Sequence, residues 1–242
     1  MNPQVPFYIS AAFLIAIFFP VFMMATLSKK HVGGNSSQKA YYAILIFYLL
    51  YLSVVAVATL RGAFTEVTLP PKIIQFTTLP LLAFLVGFVF NSRFYHSFLK
   101  STPTEELILV HRFRLIGSFF IVLLLLQLLP PVFALIAGLG DIITALSSIW
   151  IAKAFRERRK NATRYALAWN TFGLLDILIT SAMALILTKW NMETGSMGVD
   201  VLATFPFCFI PAFAPATIVF LHLSIYRKLL IKRFHQACTF LS

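Results

Sequence analysis

Charged residues are scarce in this chain of 242 residues. They make up 12% of the sequence, whereas hydrophobic residues make up 60%. Soluble domains carry roughly a quarter charged residues, so this chain has too few polar side chains to cover itself in water. The composition therefore excludes an ordinary soluble domain and predicts a protein whose surroundings are largely lipid.

Cysteine and acidic residues are also rare. Cys208 and Cys238 are too few to form a disulfide framework. Only 8 Asp and Glu stand against 20 Lys and Arg, which gives a net charge of +12. A basic soluble protein would suggest nucleic acid as a partner, but the cytoplasmic loops of membrane proteins collect Lys and Arg as well. We therefore expect no nucleic-acid partner, and expect the basic residues to meet anionic lipid headgroups at the cytoplasmic face.

Seven apolar segments are long enough to cross a bilayer, which takes about 20 helical residues. One helix over 115–152 would be about 57 Å long, too long for one crossing, and Pro130 and Pro131 divide it because consecutive prolines break helices. We predict an all-α membrane protein with a single domain, residues 1–242, folded as a seven-transmembrane-helix bundle. The predicted spans are 7–27, 41–60, 73–90, 106–129, 132–152, 165–187 and 201–226.

The basic residues predict the orientation of this bundle. With the N-terminus outside, 17 Lys and Arg fall on the cytoplasmic side and only Arg61, Lys72 and Lys189 fall outside. Cytoplasmic loops carry the excess of Lys and Arg, so we predict an external N-terminus and a cytoplasmic C-terminus.

A basic group marks the start of the fourth predicted span. We expect His111, Arg112 and Arg114 to extend to the headgroups there, because long basic side chains reach the interface from helix ends. The two arginines would bind lipid phosphate or pair with Glu105 and Glu106.

Two carboxyl groups fall near the centre of predicted spans. Asp141 lies about ten residues into the fifth span, and Asp176 about eleven residues into the sixth. An ionisable group at that depth is costly and is a functional-site hypothesis by default. Consecutive helices joined by a short loop usually pack side by side, so we expect the two carboxyls to face each other. The further candidate residues are Thr144, Ser148, Asn170, Thr180, His222, Arg112 and Gln127.

Several functions fit this pattern. Coupled carboxyls that hold a proton or a cation predict a proton- or cation-coupled transporter or channel. The structural alternative is that each Asp bonds to a neighbouring polar group and only fixes helix packing. A lipid-modifying membrane enzyme would instead use His222, His111 or His96 on the cytoplasmic side, and a sensor or accessory subunit would need no chemistry.

The sequence favours a non-enzymatic role and names no cofactor. No HExxH or HxxxH spacing is present, so we expect no metal site. The last span, 201–226, contains no lysine, which disfavours the retinal chemistry of microbial rhodopsins. A small ion or molecule as ligand, and an oligomeric assembly, are both compatible with the pattern.

Two stretches resemble a known family. Residues 131–141 read PVFALIAGLGD, and residues 169–176 read WNTFGLLD. Both are similar to patterns in a family of uncharacterised bacterial multi-pass membrane proteins. The resemblance implies a bacterial inner-membrane location, but it carries no known activity and assigns no catalytic residues.

Overall fold

The computed structural model describes residues 5–34 and 36–239, with side chains up to residue 230. Every regular element in that part of the chain is helical, which confirms the all-α prediction. A short 3-10 turn, Asp200–Ala203, precedes the last helix. The helices are α1 (Phe7–His31), α2 (Ser36–Leu60), α3 (Ile74–Val89), α4 (Arg93–Ser101), α5 (Thr104–Leu125), α6 (Pro131–Arg156), α7 (Ala162–Thr194) and α8 (Phe209–Thr239).

Six of these helices are long and apolar enough to cross a membrane: α1, α2, α5, α6, α7 and α8. Helices α3 and α4 pass the same test only together, as one span that bends by 81° between them. Residues 5–34 and 36–239 thus contain six or, with the bent pair, seven helices of this kind, as a multi-pass membrane protein requires.

Helix α3 is irregular along most of its length. Two π-helical segments, Ile74–Thr78 and Phe84–Val89, flank a single α-helical turn that contains Pro80. Proline has no N–H group to donate within a helix, and π turns accommodate such a local loss of regular bonding. The observed helix Ile74–Val89 thus lies within the expected span 73–90, but most of it is π-helical rather than regular α-helix.

Prolines also lie at the starts of α6 and α8. The turn expected at Pro130 and Pro131 is present, because α5 ends at Leu125 and α6 begins at Pro131. The span expected from residue 201 begins only at Phe209. Of its prolines, only Pro215 lies inside the helix, since Pro211 falls in the first turn, where a missing N–H costs nothing.

Helix α8 forms the centre of the bundle. In its apolar window 67% of the residues are buried, against 22% in α1 and α2 and 17% in α7. Small side chains such as Ala212 and Ala216 let neighbouring helices approach it closely. The outer helices therefore present most of their apolar surface outward, toward lipid.

Helix α4 lies at one end of the bundle and has two distinct faces. Tyr95, Phe98 and Leu99 are buried, whereas its basic side chains are exposed. The end of α8 holds it in place: Arg227 Nη1 donates to the Phe90 carbonyl at 2.7 Å, and Lys228 Nζ donates to the Lys100 carbonyl at 2.9 Å. Such an amphipathic helix, bent away from a span, suits the bilayer interface.

The packing of α1 generates a test of the bundle core. Phe13 is 0% exposed, with its ring 5.1 Å from Phe119 and 5.0 Å from Phe207, centroid to centroid. We expect Phe13→Ala to lower stability by about 2–4 kcal/mol, through the cavity that it leaves rather than through transfer from lipid. The control Phe22→Ala removes a ring that is 52% exposed, and equal thermal unfolding midpoints of the two variants in detergent would contradict this packing.

Candidate functional site

An arginine is completely buried at the point where four helices meet. Arg114 lies on α5, is 1% exposed, and is surrounded by residues of α6, α7 and α8. The sequence placed it at the headgroups, and this expectation is wrong. The segment His111–Gly117 is wound as a 3-10 helix, so residues three apart share one face. His111, Arg114 and Gly117 therefore point inward together, while Arg112 remains exposed.

Each nitrogen of the Arg114 guanidinium has a partner. Nε donates to Asp141 Oδ1 at 2.6 Å, and Nη2 donates to Asp176 Oδ2. Nη1 donates to the Gly173 carbonyl at 2.9 Å and to His222 Nε2 at 3.2 Å. One guanidinium thus joins the two aspartates, which sit on different helices. We call Arg114, Asp141, Asp176, His222 and Asn170 the Arg114 cluster.

The protonation state of His222 follows from its neighbours. A guanidinium only donates hydrogen bonds, so His222 Nε2 must be the acceptor. The proton therefore sits on Nδ1, which lies 2.8 Å from Asn170 Oδ1 and donates to it. Asn170 Nδ2 donates in return to the His222 carbonyl at 3.1 Å. This assignment from the hydrogen-bond network makes His222 a neutral imidazole.

A second histidine packs against the first. The rings of His111 and His222 lie 4.2 Å apart, centroid to centroid, and Trp169 meets His111 edge-on at 5.2 Å. His111 is 0% exposed, and neither of its ring nitrogens has a hydrogen-bond partner among the described residues. A buried polar group without a partner is costly. A contribution to stability therefore does not explain why a histidine occupies position 111.

Three glycines leave room for the side chains of the Arg114 cluster. A methyl group on Gly140 would lie 1.8 Å from Asp176 Oδ1, and one on Gly117 would lie 2.3 Å from Asp141 Cβ. A methyl group on Gly173 would lie 2.7 Å from His222 Cε1. Three glycines on three helices thus leave the space that the two carboxyls and the imidazole occupy.

A small cavity adjoins the cluster on one side. It has a volume of about 30 Å³, and its lining includes Arg114, Asp141, Phe113 and Ile17. A water molecule needs a cavity of at least about 10–15 Å³ and two or more polar partners. The cavity therefore has room for one water next to the Asp141 carboxyl.

Three of the residues singled out in the sequence, besides the aspartates, are buried but form no side-chain hydrogen bond to the cluster. The hydroxyl groups of Thr144 and Thr180 are buried and have no partner in the described part of the chain. Ser148 donates to the carbonyl of Ala145 on its own helix. Thr144 contributes through its backbone, because its carbonyl accepts from Trp169 Nε1 at 3.1 Å.

Other expected site residues lie elsewhere. Arg112 is exposed and bonds to the Leu109 carbonyl, and Gln127 is exposed in the turn after α5. Glu106 pairs with Lys30 at 2.6 Å and His31 at 2.9 Å rather than with either arginine. His96 pairs with Arg227 at the surface, so the three histidines of the enzyme hypothesis do not form one group.

Sequence reasoning placed the two central residues, Arg114 and His111, at the headgroups and did not group them with the aspartates. Their signal was the spacing of His111, Arg114 and Gly117, which share one face when a helix has three residues per turn. A buried pair of carboxyls also calls for a cation at the same depth, and Arg114 is the basic residue nearest to the middle of an apolar segment.

Residues 73–230 match the family described as a domain of unknown function, DUF8737. The chain belongs to this family. The matched range contains the whole Arg114 cluster, whereas α1 and α2 lie before it. No curated protein and no solved structure matches the chain. The expectation of a family without known function is thus confirmed.

The two neighbouring arginines of α5 provide a matched test of the cluster. We expect Arg114→Met to destabilise the protein by about 3–5 kcal/mol, because it leaves two buried carboxyls without a counter-charge. Arg112→Met, two residues away on the exposed face, should leave the thermal unfolding midpoint nearly unchanged. Adding Asp141→Asn and Asp176→Asn to Arg114→Met removes the unpaired acids and should restore much of the loss. Equal midpoints of the two single variants would contradict the burial of Arg114.

Proposed function

We propose that this chain is a proton-coupled membrane transporter in which the Arg114 cluster binds the proton. The observation that carries the proposal is the charge of the cluster. One guanidinium contributes +1, two carboxylates contribute −2, and His222 is neutral through its bonds to Arg114 and Asn170. The ionised cluster would thus hold one uncompensated negative charge inside an apolar bundle, at a cost of several kcal/mol. Binding one proton removes that charge.

The free carboxyl oxygens provide places for this proton. Each aspartate uses one oxygen to accept from Arg114, and no described group donates to Asp141 Oδ2 or Asp176 Oδ1. Asp141 lines the water-sized cavity, and a water bound there is the route by which we propose that a proton reaches the cluster. Exchange of this proton for a substrate is the coupling that a secondary transporter requires.

A lipid-modifying membrane enzyme is the second candidate. The observation that favours it is the close contact between the tilted rings of His111 and His222, with both nitrogens of His111 unpartnered in the described chain. It predicts a bound metal, which elemental analysis of the purified protein would detect. Among the residues with described side chains, no three His, Cys, Asp or Glu are placed so that they could hold one metal ion together, which makes this candidate the weaker one.

We propose seven spans for the membrane topology, with α3 as a span and α4 at the interface. Burial of Arg114 removes one cation from the cytoplasmic side, and the remaining Lys and Arg still divide 16 to 3 in favour of an external N-terminus. A bacterial inner membrane is the location that the sequence resemblance implies.

Single cysteines in two loops test this orientation. In a chain with Cys208→Ala and Cys238→Ala, we expect Ser196→Cys to react with a membrane-impermeant maleimide in intact spheroplasts. Asn161→Cys should react only after lysis, because its loop faces the cytoplasm. Both positions are exposed in the structure, so the reverse pattern of labelling would overturn the orientation.

Infrared spectroscopy tests the bound proton directly. We expect the purified protein in nanodiscs to have a protonated-carboxyl band that titrates with pH and shifts in D₂O, because the cavity beside Asp141 has room for an exchanging water. Asp141→Asn or Asp176→Asn alone should abolish the band, since one carboxylate then balances Arg114 and no proton is needed. Asp200→Asn, an exposed acid outside the cluster, should retain it. A wild-type protein without the band, or with one that neither titrates nor exchanges, would refute the proposal.

A further inference from the structure

A groove runs along the outer surface between α6 and α7. Its volume is about 470 Å³, within the roughly 300–1,000 Å³ of small-molecule sites. Leu139 and Ile143 form the wall from α6, and Phe172, Leu175 and Ile179 form the wall from α7. These side chains are 45–52% exposed, so in a bilayer they face the lipid tails. The groove is therefore open sideways to the membrane.

The Asp176 carboxyl lies at the floor of this groove. It is the only polar side chain among the lining residues, and it is 8% exposed. Its Oδ2 accepts from Arg114, while Oδ1 lies over Gly140, in the space that a methyl group there would occupy. No described group donates to Oδ1. An apolar surface thus leads from the lipid to one carboxyl oxygen that lacks a partner.

We propose that the groove binds a lipophilic organic cation that enters from the bilayer. The inference rests on the proposed function and names its substrate class. The cluster needs one additional positive charge, which a proton or a bound cation supplies equally well. Proton and cation therefore compete for Asp176, and exchange of one for the other is the transport cycle.

The walls of the groove favour a lipophilic organic cation over a metal cation or a neutral molecule. Na⁺ and K⁺ require a shell of oxygen ligands, and the walls contain only apolar side chains beside one carboxyl. An apolar neutral molecule would leave the negative charge of the cluster uncompensated. A delocalised organic cation buries its apolar groups against the walls, which include the aromatic side chain of Phe172, and places its charge near the Asp176 carboxyl.

Tetraphenylphosphonium is the probe for this site. We expect the full-length protein in nanodiscs to bind about one equivalent in isothermal titration calorimetry and to release one proton. Because cation and proton compete, the affinity should fall by up to about tenfold for each unit decrease in pH. Binding should also remove the protonated-carboxyl infrared band. Binding that does not depend on pH would overturn the inference.

Two tryptophan variants on α6 separate the groove from the rest of the lipid-facing surface. Ile143 and Leu146 are 52% and 49% exposed, and only Ile143 lines the groove. We expect Ile143→Trp to fill the groove and weaken binding at least tenfold, and Leu146→Trp to bind as the wild type does. Asp176→Asn should abolish the site. Unfolding midpoints in detergent would verify that each variant is folded.

The possible results distinguish this inference from the proposed function. Equal binding by the wild type, Ile143→Trp and Asp176→Asn would mean that the probe only partitions into lipid, and the groove would not be a cation site. If the infrared band titrates but the probe neither binds nor removes the band, the proton site stands and the cation inference is wrong. If Ile143→Trp and Asp176→Asn lose binding while Leu146→Trp retains it, and the wild type releases a proton on binding, both the proposed function and the cation inference are supported.

Discussion

The charge balance around Arg114 constrains the packing of four helices. A guanidinium buried in an apolar bundle is stable only when acceptors surround it in good geometry, and these come from Asp141 on α6, Asp176 and Gly173 on α7 and His222 on α8. Three glycines bring the backbones close enough for this contact. The same arrangement leaves two carboxyls to share one cation, so the interaction that fixes the core also creates its unbalanced charge.

Much of the fold could be predicted because apolar length and proline are strong signals in a membrane sequence. The segments that became α1, α2, α6 and α7 were predicted from hydropathy, and the prolines at 130 and 131 located a turn. The bend between α3 and α4 could not be predicted, since the groups that hold α4 in place, Arg227 and Lys228, lie far along the chain. The position of α8 at the centre likewise depends on tertiary packing.

The candidate site was predictable only in its acidic half. Asp141 and Asp176 stand out because carboxyls at the middle of apolar segments are costly. Arg114 was interpreted as an interfacial residue because Arg112, Glu105 and Glu106 lie near it in sequence. The spacing of an α-helix does not show clearly which of these residues lie on the buried face. The local 3-10 winding decides which arginine is buried, and its position along the chain is not evident from the sequence.

The winding of α5 has a geometric consequence for movement in the bundle. A 3-10 helix rises about 2.0 Å and turns about 120° per residue, against about 1.5 Å and 100° in an α-helix. If the seven residues His111–Gly117 rewound to the α form, the two halves of α5 would approach by about 3.5 Å and rotate by about 140° relative to each other. Arg114 would then lose its alignment with both aspartates. A change in the length and winding of α5 is thus coupled to the loss or formation of the two Arg114 ion pairs.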